Sequence, residues 1–227
     1  MRCGRTENVV VPFPVRRVRP ASDLGDLRFR ALLGEAAWMS LPESVRARFG
    51  KRVSDCRTIV YAGEVVECRI SALGWLLAQS TRLIGAPLPL SRDADVPAMV
   101  SVTEDAAGGG QFWTRVYGRC RGFPQVIHSS KRFAGPTGLE EYIGCGFGIA
   151  LRAQVTDGVL EFVSDHYFLM VSRRRLRIPC WLAPGRLVVS HVDCNHGLFA
   201  FVLSLRHRLL GELIRQTVMF RERPERG

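Results

Sequence analysis

The residues whose type and spacing best suit chemistry are an arginine and a glutamate set in otherwise apolar strand-like segments. Within Gln111 to Gly118, Trp113, Arg115 and Tyr117 fall on one face by period-two alternation. Glu141 lies in the later segment Leu139-Glu140-Glu141-Tyr142-Ile143. A cation and a carboxylate turned into an apolar interior are costly unless they are paired, so Arg115 with Glu141 is the candidate pair. The chemistry on offer is acid/base catalysis. Burial would raise the Glu141 carboxyl toward working pH, and Arg115 would hold an anionic or enolate-like group. Asp165 beside His166 offers a second carboxylate for the same role, and His128, on one face with Ser130 and Arg132 and opposite Ile127 and Ser129, completes the catalytic candidates. A structural reading stands level with this one: the pair fixes strand register, and His128, His166 and His191 are satisfied in or at the rim of the sheet.

Ligand-binding candidates surround that pair. Trp113, Tyr117, Tyr142, Phe162 and Tyr167 supply aromatic walls and Ser129 a polar contact. Gly144, Gly146, Gly148 and Ala150 alternate with Ile143, Cys145, Phe147, Ile149 and Leu151, leaving one face of a strand almost bare. A bare face admits a crossing helix, a sharp bend of the sheet, or a ligand.

Other constellations carry less. The glycines Gly108 to Gly110 lack a following Lys-Ser/Thr and a helix, and so do not make a phosphate loop. His191, Cys194 and His196 straddle a turn and lack a matched second ligand pair, so no metal and no cofactor is expected. The seven cysteines are an odd, scattered set without a C-x-x-C pair, which argues against a disulfide framework. The net charge of +11 is nearly all arginine and suits an acidic partner, with the densest run at Arg173, Arg174, Arg175 and Arg177. That run reads as a solvated strand end or as a contact for an anion or membrane surface. Nucleic-acid binding would rest on charge alone, since no recognised motif accompanies it.

The elements that must position these residues form one α+β domain over residues 23–227, preceded by an extended, proline-interrupted arm over 1–22. Leu24 to Trp38 and a shorter stretch capped by Ser40 predict a helical hairpin. Arg57 to Ile70 reads as a strand or hairpin with a turn at Ala62 and Gly63. Ser71 to Ile84 reads as a helix whose face of Leu73, Trp75, Leu76, Leu77 and Leu83 seeks a sheet. Turn signals at 106–110, 135–138, 156–158, 183–185, 194–197 and 207–211 then divide the remainder into an antiparallel meander, expected to curve into a half-barrel. The longest apolar runs are too short to span a bilayer and the N-terminus lacks a secretory signal core, so a cytoplasmic location is expected.

Several segments, taken in order, are similar to the family known as domain of unknown function 4166. They are an opening helical pair over 31–49, Trp113 and Arg115, Ser129, Glu141 and Gly144, Ile178-Pro179, and the closing Leu209-Leu210-Gly211. The likeness covers about residues 27 to 221, and departs at His207 and Arg208, where a proline is expected. It implies the same fold and site positions. It also implies a possible separate partner, because such domains often follow a saccharopine-dehydrogenase-like reductase in one polypeptide. The expected function is a cavity that binds a small hydrophobic molecule and acts on it by non-redox cyclisation or isomerisation. The alternatives are a non-catalytic carrier for a partner reductase, and binding to an anionic membrane or nucleic acid; an oligomer is compatible with each.

Overall fold

The computed structural model describes residues 25–51, 53, 57–172 and 174–222. The arm expected over residues 1–22 lies outside the described residues. Three short helices, α1 (Arg28–Leu33), α2 (Glu35–Met39) and α3 (Glu43–Phe49), come first. Gly34, at φ 77°, divides the first two, so the expected hairpin of two helices is three short ones. Ser40 does not cap α3: its hydroxyl donates to the Ala37 carbonyl, and Pro42 stands at the N-cap.

Strand β1 (Ile59–Ile70) leads into α4 (Ala72–Ser80) and a 3₁₀ turn (Thr81–Ile84). Then come β2 (Val96–Asp105), β3 (Gly110–Tyr117), β4 (Gln125–Arg132), β5 (Leu139–Gly144), β6 (Phe147–Thr156), β7 (Val159–Val171), β8 (Arg174–Arg177), β9 (Arg186–Asp193), β10 (Leu198–His207) and β11 (Gly211–Arg221). Each of the expected turns falls between two of these strands. The turn expected at Ala62–Gly63 does not form. There β1 runs straight through, and Gly63 lies where a Cβ would strike the Met219 carbonyl of β11.

The half-barrel α+β expectation is overturned: the strands close into a ten-strand antiparallel barrel with little helix. The ring runs β1 to β7, skips β8, continues through β9, β10 and β11, and returns to β1 by the antiparallel pairing of Ala62–Ile70 with Ile214–Arg221. β8 flanks β7 outside it. Closure requires tilted, strongly coiled strands, and irregularities at Val65/Glu67, Tyr142/Gly144, Ala150/Leu151 and Leu205/Arg206 supply local bends.

The two barrel ends differ. Around the lower end, Phe29 of α1 and Phe49 of α3 meet Phe162 of β7 and Phe133 edge-on or tilted, a plug of rings 4.9–6.0 Å apart. Arg48 of α3 donates to Asp193 at 3.0 Å and stacks over Phe199. The upper end carries α4, the 3₁₀ turn and the loop 178–185. Ser71 caps α4 by accepting from the Gly74 N–H at 3.0 Å. The helix approaches the barrel most closely through Gly74 and Ala78, with Leu77 packed beside them; a Cβ at Gly74 would meet the Leu213 carbonyl. Leu73, Trp75, Leu76 and Leu83 are therefore exposed, which corrects the expectation that they lie on a sheet. Small residues allow the backbone to come close, and these bulky ones are left facing away. Among the described residues no helix is long and apolar enough to cross a membrane.

Candidate functional site

The barrel interior is largely apolar, and its charged side chains gather on three neighbouring strands in mid-barrel. On β3, Trp113, Arg115 and Tyr117 share the inner face, as alternation predicts. On β4 the inner face carries Ile127, Ser129 and Lys131. On β5 it carries Glu141, directly across from Lys131 in the ladder. Lys131 Nζ donates to Glu141 Oε2 at 2.8 Å, and Arg115 Nη2 donates to Glu141 Oε1 at 3.2 Å and to Ser129 Oγ at 2.7 Å. The Lys131 ammonium also sits over the Trp113 ring at 5.1 Å. Burial alone would raise the Glu141 carboxyl, but the Lys131 and Arg115 charges and the hydrogen bonds to it outweigh burial and hold it at about 2. The expected upward shift is reversed, because Glu141 faces two cations rather than one. Desolvation pushes Lys131 down, against the pull of Glu141.

Above this cluster lies a cavity of about 240 Å³. Ile143, Phe147, Ile149, Leu203 and Leu205 form its walls, and Leu77 of α4, Thr81 and Ile84 of the 3₁₀ turn and Leu182 of the 178–185 loop cover it as a lid. Arg115 and Glu141 reach its floor, and Tyr167 its side. The Tyr167 hydroxyl donates to the Gly185 carbonyl at 3.0 Å, and burial raises its pKa to about 12. A smaller void of about 40 Å³ below is lined by Trp113, Arg115, Tyr117, Lys131 and Phe162. Burial raises the Tyr117 hydroxyl as well. Arg115 Nε is buried without a hydrogen-bond partner among the described residues.

Other candidates stand elsewhere. His128 is exposed on the outer face, its Nδ1 3.0 Å from Thr114 Oγ1. Asp165 is the extra residue of the bulge in β7 and lies outside, 2.7 Å from Arg152 Nε and 2.7 Å from His166 Nδ1. The hydrogen bond to His166 and then that to Arg152 hold its carboxyl below the usual range. Tyr142 is also outside, under the Arg132 guanidinium and donating to Glu140 Oε2 at 2.8 Å. Gly144 and Gly146 do not belong to one continuous strand. With Cys145 they form the β5–β6 turn at the upper rim, where Gly144 abuts the Ile84 carbonyl. The bare face at Gly148 is the outer one, and the Phe168 ring of β7 fills it.

Sequence reasoning missed Lys131, which is as buried as Glu141. Its signal was parity, since it follows Ile127 and Ser129 at period two. It also missed a second buried centre at the lower end, where Arg48 Nη1 lies 3.3 Å from His191 Nε2. Arginine only donates, so Nε2 accepts and the proton of the neutral ring sits on Nδ1. Burial first, and Arg48 second, push His191 down to about 3.

No curated protein and no solved structure matches the chain. A family model does match, over residues 41–220, and spans β1 through nearly all of β11 together with every residue of the Arg115–Lys131–Glu141 cluster. The chain belongs to the family described as Domain of unknown function (DUF4166).

Proposed function

We propose that the barrel binds a small, mainly apolar molecule bearing one anionic or carbonyl group, with the apolar part under the lid and the polar group on Arg115. The observation that carries this is the about 240 Å³ apolar cavity whose floor is Arg115, with a buried Nε–H that has no partner among the described residues. A buried unsatisfied donor costs about 1–3 kcal/mol, which an acceptor on the ligand would recover. The charges at the floor favour the same polarity: two cations face one carboxylate. Pockets for drug-sized ligands run from roughly 300 Å³ upward, so this one suits a small occupant.

Binding is favoured over acid/base turnover because Glu141 stays ionised and is already engaged by both cations, which makes it a weak proton acceptor. A carrier role, delivering the molecule to a separate enzyme, fits the same geometry. The test uses octanoate as probe, with displacement of an anionic naphthalene fluorophore as the readout. Wild type should bind octanoate, and Leu205→Trp, which fills the cavity, should not. Equal binding by both proteins would place the probe elsewhere and remove the proposal.

A further inference from the structure

Five connections project from the upper barrel end: residues 71–95, 118–124, 144–146, 172–185 and 207–211. All but the short 144–146 turn combine two properties that rarely coincide on a water-exposed surface. The first is bulky apolar tips. Phe123 is 93% exposed, Leu83 86%, Leu209 84% and Trp181 78%, with Leu76 and Leu182 also exposed. These are not scattered over the molecule. Leu76 and Leu210 flank one groove with Pro184, and Leu182 and Pro184 lie on the rim of the cavity. Gln125 ties the 118–124 turn to the same side by donating to the Ala86 and Leu88 carbonyls at 3.1 and 2.8 Å.

The second property is charge of one sign. The acids of these connections are Asp93 and Asp95, against arginines that include Arg82, Arg119, Arg121, Arg177 and Arg208. Arg119, Arg121, Arg177 and Arg208 make no ion pair with another described residue. At the lower end Arg28 pairs with Asp26, Arg30 with Glu35 and Arg48 with Asp193, while Arg57 and Arg221 make no ion pair with another described residue. Among the described residues, unpaired arginines thus share the upper face with the apolar tips.

From this we infer that the upper end docks on an anionic bilayer surface, with Phe123, Leu83, Trp181 and Leu209 entering the headgroup region and the arginines meeting lipid phosphates. Apolar tips gain from partial burial in the interface, tryptophan is suited to that depth, and each nearby arginine adds attraction to anionic lipid. A nucleic acid would match the arginines but would leave isolated leucines without a partner. Docking at this face does not depend on the cavity binding octanoate. Where both hold, the mouth of the cavity opens toward the membrane, and an apolar ligand can pass between them without crossing water.

The test is co-flotation of the full chain with phosphatidylcholine vesicles, with and without phosphatidylglycerol. The protein should float with the phosphatidylglycerol vesicles, weakly with phosphatidylcholine alone, and less as salt is added. The triple variant Leu83→Glu, Trp181→Glu, Leu209→Glu changes exposed side chains, so its melting temperature should match wild type while its partitioning falls roughly tenfold or more. Replacing Arg119, Arg121 and Arg208 with glutamine should remove the preference for anionic lipid with the fold equally intact. Failure of wild type to float with phosphatidylglycerol vesicles, or flotation unchanged by the triple variant, overturns the inference. A single-stranded oligonucleotide bound in place of vesicles would instead assign the arginines to nucleic acid.

Discussion

Lys131 and Glu141 stand opposite one another on adjacent strands, and the ammonium and carboxylate meet at 2.8 Å inside the barrel with neither open to water. Two desolvated charges are tolerable only together, so removing one leaves the other uncompensated. Glu141→Gln should lower stability by about 3–5 kcal/mol in urea unfolding. The double replacement Lys131→Met, Glu141→Leu keeps the net charge of the cluster and should cost less than Glu141→Gln alone. A double replacement as damaging as the sum of its parts would show that the pair is not coupled.

The same carboxylate sets an acid limit. Glu141 titrates at about 2 when folded against 4.5 as its ordinary value, so the unfolded chain binds more protons between those values. The stability it contributes is complete above pH 4.5 and is lost as pH falls toward 2. Urea midpoints measured across that window should drop steeply in wild type and less in the double replacement.

His191 adds an earlier slope. Its folded pKa of about 3 lies below the ordinary 6.5, so the unfolded chain takes up the proton first and stability declines as pH falls from 6.5 toward 3. The loss approaches about 1.4 kcal/mol per pH unit where the folded ring is still neutral. His191→Phe keeps a ring among Phe49, Phe199 and Phe201 and should flatten the stability profile between pH 6.5 and 4.5, above the window of Glu141. An unchanged slope would mean that His191 is protonated in the fold.

Gly148 is required by a neighbour rather than by its own backbone. A Cβ there would lie 2.3 Å from the Phe168 ring, which is fully buried on the outer face. Gly148→Ala should cost about 1–3 kcal/mol in thermal or chemical unfolding, the usual range for overpacking. In a Phe168→Leu background the penalty should shrink. Equal penalties in both backgrounds would locate the strain elsewhere.

Much of the sheet was legible because turns and alternation are local. Asp157-Gly158 and Ala183-Pro184-Gly185 carry their turn chemistry in their own residues, and Trp113, Arg115 and Tyr117 share a face by parity. Closure was not legible, because it depends on Ala62–Ile70 finding Ile214–Arg221 at the far end of the chain. The α4 leucines misled for a related reason. Their periodicity marks an apolar face but does not say whether Gly74 and Ala78 will take the contact in its place. Glu141 was found by type and its partner Arg115 by face. Its second partner, Lys131, needed the register of β4 against β5, which no local pattern states. The outward placement of Asp165 and His166 follows from a one-residue bulge that shifts parity along β7.

If Arg115 receives the polar group of a ligand held in the apolar cavity, calorimetric titration of octanoate and 1-octanol into wild type and Arg115→Met will separate the two probes. Wild type should prefer octanoate by roughly tenfold or more, the scale of a charge-assisted hydrogen bond, and the variant should bind the two alike. Equal affinities in wild type, or a preference for octanoate that survives in Arg115→Met, would contradict that role of Arg115.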